Sequence, residues 1–418
     1  MRTKIYILAL VIIGIIGCMS AQSNNYVWIH GLNGTADSWQ VYQNNFTPNN
    51  GTRPAYKSDK SIAEISKEFW NTNSALFGKN TILIGHSMGG LVARELERNH
   101  SSLIKGIVTI GTGHQGAQFA KEIHFGGLNK LKDKVSLRVN VCATSTFAAL
   151  SFSFPGLTKV LIPIAEVVSG ITGVMTSPIG DIALNEIAAA GFNQSCIDDL
   201  QPGSKFLTTL GQRKINVPIL TFASEEDRWQ LARTVHCQLN YKRLATDPNI
   251  NSDGNFEMAG YNRLNNINNA VKIAGQIHTG MAAAHAVSGI WFPNHWAASV
   301  AHGIAAANWY SLAHYIDHGL DYDHAVLIGA SRVDKVERKF LLLKWFDYIT
   351  VPEPHDGIVS VKSQQLDKTS GINVIWANTT IKGVNHMEQR NHPKTKEEFK
   401  LLLEGKTYAP LTFTNNNR

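Results

Sequence analysis

Ser87 lies in the five-residue stretch Gly85-His86-Ser87-Met88-Gly89, which has the pattern G-x-S-x-G. A serine in this pattern can attack an acyl carbon when the chain turns sharply from a strand into a helix, because the turn exposes its hydroxyl. The pattern alone is weak evidence, since it recurs by chance. The flanking residues favour a nucleophile, because an apolar strand is predicted over 81–84 and a helix over 88–99.

An acyl-transfer site must also stabilise the oxyanion that forms on the attacked carbonyl. The backbone N–H of Met88, the residue after the nucleophile, is the first predicted donor. The second is expected in the loop after an earlier strand, where "WIHGLNGT" places a glycine, Gly31, that allows a tight turn. The N–H of Leu32 is therefore predicted to complete the oxyanion hole, with His30 positioning the loop.

A general base and an acid must follow the nucleophile along the chain, in the order Asp or Glu and then His. "NHMEQ" contains His386 and "PHDGIVSV" contains Asp356. Asp356 is predicted to hold His386 in the correct tautomer, and His386 to take the proton of Ser87. A rival acid lies in "ILTFASEEDRW", which contains Glu226 and Asp227 after another predicted strand.

Taken together, these motifs resemble those of the secreted bacterial lipases of the α/β-hydrolase superfamily. The resemblance rests on "HGLNGT", "GHSMGG", "IGTGHQGA" and "HDGIVS…NHME", in that order, with Gly113 standing where the third motif usually has proline. It covers roughly residues 25–120, 215–225 and 350–395. It implies an α/β-hydrolase fold, with a mostly parallel sheet flanked by helices, and a serine hydrolase that cleaves carboxylic esters, with lipid esters such as triacylglycerols as substrates.

The hydrolase reaction requires no cofactor, but two metal sites can be considered. Related lipases carry calcium beside an acidic residue two positions after the catalytic histidine, and this resemblance makes Glu388 a candidate ligand. Separately, His314 and His318 are four residues apart and would share one helix face near several aspartates, as a zinc site would require. The alternative is that these histidines lie on a solvated surface.

The elements around the motifs alternate between strands and helices, which predicts a parallel sheet. Ser61 and Glu64 have the spacing of a capping box at the start of one helix. The predicted strands are 26–30, 53–56, 81–84, 103–110, 217–223 and 372–376, and the predicted helices are 61–77, 88–99 and 395–404.

Two inserts interrupt this pattern, within a hydrolase domain predicted over 22–418. Residues 144–214 have few charged side chains before Phe192, which predicts a helical cap that acts as a lid over an acyl pocket. Residues 226–347 are rich in Asn and His, and the sequence predicts no function for them.

The N-terminus has the features of a secretory signal peptide over residues 1–21, with Arg2 and Lys4 before an apolar run. Export to the medium or periplasm is therefore expected. "IIGC" also resembles a lipobox, so either Cys18 becomes a lipidated N-terminus or cleavage follows Ala21. A lipid anchor or an apolar lid would bring the protein to a membrane or a lipid interface.

Net charge and cysteine content bear on two further questions, nucleic-acid binding and disulfide bonding. The 418 residues carry a net charge of +7, with no basic run that would indicate nucleic-acid binding. Three cysteines follow the signal peptide, and export permits a Cys142–Cys196 disulfide, although all three thiols could equally be free and buried.

Three functional hypotheses remain from the sequence. The first is an exported lipase or esterase. The second is an acyltransferase or a lipid-linked deacylase with the same triad, because the sequence does not distinguish water from an alcohol as acceptor. The third is a catalytically silent hydrolase fold used for binding, which would be expected to lack a triad member.

Overall fold

The computed structural model describes residues 24–119, 122, 127–153, 194–226, 230–250, 258–340, 343–366 and 376–405. The predicted signal peptide lies outside the described residues, and so do Asp227 and residues 154–193 of the predicted cap.

The centre of the fold is a six-stranded parallel sheet, as the alternation of strands and helices predicts. Its strand order is β2-β1-β3-β4-β5-β8. This is the α/β-hydrolase arrangement. A separate antiparallel ribbon consists of β6 and β7. The strands are β1 (Asn25–Ile29), β2 (Gly51–Thr52), β3 (Thr81–His86), β4 (Ile104–Ile110), β5 (Ile219–Glu225), β6 (Ser331–Phe340), β7 (Leu343–Pro352) and β8 (Trp376–Lys382).

Helices cover both faces of the sheet and build the two inserts. In chain order they are α1 (Gln40–Phe46), α2 (Ile62–Asn73), α3 (Met88–His100), α4 (Gly127–Ser153), α5 (Gln194–Leu200), α6 (Lys205–Gly211), α7 (Gln230–Leu239), α8 (Tyr241–Thr246), α9 (Met258–Gly289), α10 (Asn294–His314), α11 (Leu320–Leu327), α12 (Val361–Gln364) and α13 (Pro393–Leu403). A π-helical turn, Tyr315–Gly319, joins α10 to α11.

The central strands are apolar throughout because both of their faces are buried. Leu83 of β3 packs with α2 and α3 on one face of the sheet. Its neighbour Ile84 packs on the other face against a cluster that contains Trp28 of β1 and Phe399 of α13. Alternate residues of one strand therefore supply two separate cores, and the strand ends that carry the sequence motifs are held from both sides.

The predicted start of α2 is confirmed, whereas the predicted end of β8 is not. Ser61 caps α2, because its hydroxyl accepts from Glu64 N while Ser61 N donates to the Glu64 carboxylate, so the capping box is confirmed. Of the last predicted strand, 372–376, residues 372–375 lie outside the described residues, and the predicted end at 376 was wrong. The described strand is Trp376–Lys382, and its polar residues pair in parallel with β5 at the sheet edge, where full apolar burial is not required. The predicted strand over 53–56 is also replaced by Gly51–Thr52.

One insert precedes β5 in the chain and the other follows it. The first lies between β4 and β5, and its long helix α4 starts at Gly127, well before the boundary that charge depletion suggests at 144. The second lies between β5 and β8 and contains α7 to α11. The β6–β7 ribbon also belongs to it, and β7 continues past the predicted boundary at 347 to Pro352.

Cys142 and Cys196 are free and buried, so the predicted Cys142–Cys196 disulfide is wrong. Cys196 belongs to the core under the sheet, whereas Cys142 belongs to the core of the helical insert. The Cys196 thiol instead donates to Met88 Sδ at 3.2 Å, and burial raises its pKa to about 12.

Candidate active site

Ser87 occupies the turn between β3 and α3, with a positive φ of 54° and ψ of −128°. Its N–H donates to Ile110 O of the neighbouring strand at 2.9 Å, which fixes this left-handed backbone. A side chain at Gly85 would meet the backbone of Gly89 and Gly90, and one at Gly89 would meet the carbonyl oxygen of His30. The glycines of the motif are therefore required by close backbone packing, and the predicted strand–turn–helix is present.

His386 and Asp356 come together although they are far apart in sequence. The Nδ1 atom of His386 lies 2.6 Å from Oδ2 of Asp356, and His386 N donates to Asp356 O at 2.8 Å. The side chains are almost fully buried, at 3% and 0% exposure. His386 follows β8 by a short turn rather than by the ten residues expected, because the strand ends later than predicted.

Four donors surround the carboxylate of Asp356. Oδ1 accepts from the backbone N–H groups of Ile358 and Val359 at 3.0 and 2.7 Å. Oδ2 accepts from Gln389 Nε2 at 3.1 Å and from His386. A carboxylate with this many donors is stabilised as an anion, and it orients the imidazole with Nδ1 protonated and Nε2 free to accept a proton.

Gln389 and Ser224 were not identified from the sequence. Gln389 Nε2 donates to Ser224 Oγ as well as to Asp356, and its Oε1 occupies the space that a side chain at Gly111 would need. Gln389 therefore connects the acid to β5 and to the end of β4. Nothing in "NHMEQ" distinguishes this glutamine from a surface residue, because its partners become neighbours only in the folded sheet.

His86 connects the loop of His386 to the serine turn. Its Nε2–H donates to His386 O at 2.9 Å, and the two rings are 4.8 Å apart. Burial, followed by the neighbouring His386, holds the pKa of His86 well below its usual value, so it remains a neutral donor. No described residue is hydrogen-bonded to Ser87 Oγ or to His386 Nε2. Such contacts are often loose before substrate binds.

The predicted oxyanion donors lie on either side of Ser87. Met88 is the first residue of α3, so its N–H has no acceptor within the helix. Leu32 follows Gly31, where an added Cβ would lie 2.9 Å from Ser87 Cβ and 3.1 Å from His86 O. The loop thus approaches the serine as closely as a glycine allows, which brings the Leu32 backbone to the same edge of the sheet.

His30 holds this loop in place. Its Nδ1 donates to Gly31 O at 2.9 Å, and its ring stacks on Tyr56 with centroids 3.9 Å apart. The Tyr56 hydroxyl also donates to His30 O. Burial lowers the pKa of His30 to about 4, so it is neutral at pH 7 and does not compete with His386 as a base.

The third sequence motif is structural. His114 Nδ1 accepts from Arg94 at 3.2 Å, and His114 Nε2 contacts Thr109 Oγ1 at 3.0 Å. The backbone N–H of His114 donates to Ser363 O at 2.7 Å. Ser363 Oγ donates to Gly116 O at 2.5 Å. These bonds attach the loop after β4 to the segment that follows Asp356.

The rival acid residues are placed differently. Glu226 is buried and forms an ion pair with Arg233 at 2.7 Å, so its carboxylate is already engaged away from His386. Asp227 lies outside the described residues.

The candidate metal ligands lie in two separate parts of the fold. Glu388 is fully buried and accepts from Asn385 N within its own turn. His314 and His318 are exposed, with rings 5.0 Å apart. Among the described residues, no group of three or more His, Cys, Asp or Glu side chains is arranged to hold a metal ion.

Comparisons with known proteins give one family match. A family model described as "PGAP1-like alpha/beta domain" matches residues 56–156, about a quarter of the chain, which include Ser87 and its flanking elements. A comparison with curated proteins found no match.

Solved structures with some similarity include an esterase, RhEst1, from Rhodococcus sp. ECU1013, with 14% identity, a TM-score of 0.28, and coverage of 50% of this chain and 74% of that one. Another is a thermophilic esterase, with 20% identity, a TM-score of 0.29, and coverage of 49% and 72%. A third is Est816, described as degrading N-acyl homoserine lactones, with 15% identity, a TM-score of 0.29, and coverage of 49% and 76%. All three TM-scores are below 0.5, so these structures carry no argument about the site of this chain.

Proposed function

We propose that the chain is an exported serine hydrolase that cleaves carboxylic esters with Ser87, His386 and Asp356 as its catalytic triad. One observation carries this proposal. Ser87 is held at a positive φ of 54° at the end of β3, and the preceding residue, His86, is hydrogen-bonded to His386 O, the carbonyl of a histidine whose Nδ1 is 2.6 Å from a buried carboxylate. Strained backbone at a reacting residue is typical of a nucleophile turn.

The first half of the reaction forms an acyl-enzyme. Ser87 Oγ attacks the acyl carbon as its proton moves to His386 Nε2, and the N–H groups of Leu32 and Met88 donate to the oxyanion. When the intermediate collapses, the carbon–oxygen bond to the alcohol breaks, and the leaving alkoxide takes the proton from His386. The acyl group then remains on Ser87 as an ester.

The second half releases the acid. Water attacks the acyl carbon and gives its proton to His386, and the proton passes to Ser87 Oγ as the acyl–serine bond breaks. Asp356 stays ionised throughout, because its four donors stabilise the anion while it supports the charged imidazolium. Every proton transfer uses a residue of the chain, so the proposed reaction needs no cofactor.

Lipid esters are the proposed substrate class. The support comes from the first insert, where helix α4 exposes Leu137, Phe147 and Phe152 at 65%, 58% and 60%. Large apolar side chains exposed in this insert favour an apolar acyl chain over a small polar substituent. Residues 144–214 are proposed to act as the lid.

An ester chain-length series tests both parts of the proposal. Wild type, Ser87→Ala and the control Ser102→Ala, which alters an exposed serine after α3, are compared on soluble short-chain and emulsified long-chain esters. Wild type and the control should prefer long chains, and Ser87→Ala should be inactive. Equal rates on short-chain and long-chain esters would contradict the lipid-ester part of the proposal, and the protein would then be an esterase without a preference for lipids. Activity in Ser87→Ala would contradict the triad.

Export is proposed from the N-terminal sequence, with residues 1–21 removed or Cys18 lipidated. The mass of the mature N-terminal peptide, measured from culture medium and from membranes, tests this. A start at Gln22 supports ordinary cleavage, and a diacylated Cys18 supports an anchored lipoprotein. An intact Met1 would contradict export.

A further inference from the structure

Helices α9 and α10 form a hairpin whose outer part has no charged side chains. Residues 273–316 contain no Asp, Glu, Lys or Arg, and we call them the charge-free hairpin. The ion pair between Lys272 and Asp317, with a distance of 2.9 Å, closes its base. Arg138 of α4 lies at the same level, 4.2 Å from the ring centroid of Tyr315. Lys272, Asp317 and Arg138 therefore mark one level of the bundle, beyond which α9, α10 and α4 carry no charged side chains.

Beyond this level the exposed surface of the hairpin is uncharged and rich in large apolar side chains. Six of them are more than half exposed, from 53% at Ile277 to 79% at Trp291: Ile273, Ile277, Val287, Ile290, Trp291 and Phe292. Val300 and Ile304 continue the surface along α10, at 60% and 55%. Contiguous apolar surface of this kind marks an interaction site rather than a face that remains in water.

The interior of the bundle combines an apolar core, which includes Val271, Trp309 and Leu312, with one buried polar pair. His278 of α9 and His302 of α10 are 2% and 0% exposed, and their Nδ1 atoms are 2.7 Å apart. Their Nε2 atoms contact Thr146 Oγ1 and Ser153 Oγ of α4 at 3.1 and 2.6 Å. The histidines thus join three helices through hydrogen bonds inside the bundle, while large apolar side chains remain on its outer surface.

Small residues bring the two helices close together. A Cβ added at Gly275 would lie 3.0 Å from the Tyr310 ring, and one at Gly289 would lie 2.9 Å from Trp296 Nε1. Close packing at small residues, with hydrogen bonds between helices, is how helices associate in lipid, where the hydrophobic effect does not drive them together.

The length and the aromatic residues also fit a bilayer. Ile273 to Gly289 spans about 24 Å at 1.5 Å per residue, against about 30 Å for a hydrocarbon core. Trp291 and Trp296 lie at the tip, and Tyr310 and Tyr315 lie near the base. Aromatic residues at both ends of an apolar segment are typical of the two interfaces of a membrane.

Helix α4 extends the apolar surface to a third side. It has no charged residue from Val139 to Ser153, and Phe147 and Phe152 point outwards. Among the described helices, α4 alone, over Asp133–Ser153, is long and apolar enough to cross a membrane by length and composition. By comparison, the surface helix α13 carries Lys394, Glu397 and Lys400.

We propose that the charge-free hairpin, with the adjoining end of α4, inserts into a lipid bilayer and holds the protein at the membrane. A bilayer is favoured over one protein partner because the apolar surface extends around three helices rather than over one face. The buried histidines avoid the cost of polar groups in hydrocarbon by bonding to one another and to hydroxyls. This membrane contact does not depend on the proposed ester hydrolysis.

Vesicle flotation tests the insertion. The full chain carries Cys18→Ser to remove a possible lipid anchor, and the vesicles are phosphatidylcholine alone or mixed with phosphatidylglycerol. Wild type should float with both, at low and high salt, because the hairpin has no charge to be screened. The tip variant Ile290→Asp/Trp291→Asp should partition about a hundredfold less, since two buried apolar side chains are lost.

The control variant Val333→Asp/Tyr348→Asp alters side chains of the β6–β7 ribbon that are similarly exposed, at 66% and 70%, and should float like wild type. Equal melting temperatures and equal turnover of a soluble ester show that the variants are folded. Three results would overturn the proposal: flotation of the tip variant like wild type, no binding of wild type to either vesicle, or a dimer that the tip variant abolishes without any vesicle binding.

Discussion

At the scale of single residues, the site is built from backbone strain and directed hydrogen bonds. Ser87 and Asn33 are the two non-glycine residues with a positive φ in the part of the chain that the structure describes. Such a conformation costs about 1–3 kcal/mol, and the bond from Ser87 N to Ile110 O holds it. Both strained residues flank the predicted oxyanion hole, so the strain is concentrated where the proposed chemistry needs a fixed backbone.

Asp356→Asn tests the role of the acid. The amide would place an N–H against His386 Nδ1 or against Gln389 Nε2, both of which now donate to this carboxylate. The imidazole would then protonate at Nε2 and lose its function as a base, so kcat should fall by about 10⁴. Steady-state kinetics on a short soluble ester measures this.

A matched control is Asp347→Asn, which alters an exposed aspartate paired with Arg338. It should keep the kcat of wild type. Turnover of Asp356→Asn within a few-fold of wild type would exclude Asp356 as the acid and favour a carboxylate near Asp227.

At the scale of elements, the loop after β4 clamps the acid-bearing segment. Gly116 has a φ of 103°, and an added Cβ would lie 2.5 Å from Pro202 N. Its carbonyl accepts from Ser363 Oγ, beyond Asp356 in the chain. The loop therefore connects the first insert to the segment that carries the acid.

Gly116→Ala should be destabilising, because alanine disfavours this φ and its methyl group collides with Pro202. We expect a loss of about 3 kcal/mol in the free energy of unfolding, measured by urea denaturation. Gly78→Ala is the control, since an added Cβ at Gly78 meets nothing within 4 Å, and it should be neutral or slightly stabilising. Equal stability of the two variants would show that the loop can shift.

The elements that could be predicted from sequence are those with unambiguous burial. β3 and β4 are apolar on both faces, and their bounds were predicted within two residues. The end of β8 was predicted too early, because Asn378 and Thr379 give an edge strand little hydrophobic signal. Helices α9 and α10 were not predicted, because their buried residues include histidine and alanine while several isoleucine and tryptophan side chains are exposed, which blurs the usual helical pattern.

The site was more predictable than the inserts for a physical reason. Ser87, Asp356 and His386 lie in short motifs whose geometry is local, so their types and order are visible in sequence. Gln389, Ser224 and the link from His86 to His386 depend on contacts between distant strands. No local pattern marks such residues, because their function follows from packing.

At the scale of the whole molecule, buried neutral histidines make stability depend on pH. Burial lowers the pKa values of His30, His324 and His392 to about 4, and it also holds those of His86, His114 and His355 well below the usual value. An unfolded histidine binds its proton near pH 6.5. Between about pH 6.5 and 4 the unfolded chain therefore holds more protons, and the folded state loses stability as the pH falls.

We expect the melting temperature to fall between pH 7 and pH 5, with His30, His324 and His392 each contributing about 1–2 kcal/mol. His324→Gln replaces a fully buried imidazole with an amide that cannot be protonated, so its pH dependence should be shallower. The control His318→Gln alters an exposed histidine and should retain the slope of wild type. Parallel slopes for all three proteins would contradict this account.

The central claim is that Ser87 is a nucleophile activated by His386, and covalent labelling tests it most directly. A fluorophosphonate probe should form one adduct per chain, and mass spectrometry of the digested protein should place the adduct on Ser87. Labelling should disappear in Ser87→Ala and slow by orders of magnitude in His386→Ala. An adduct on another residue, or undiminished labelling of Ser87→Ala, would contradict the account.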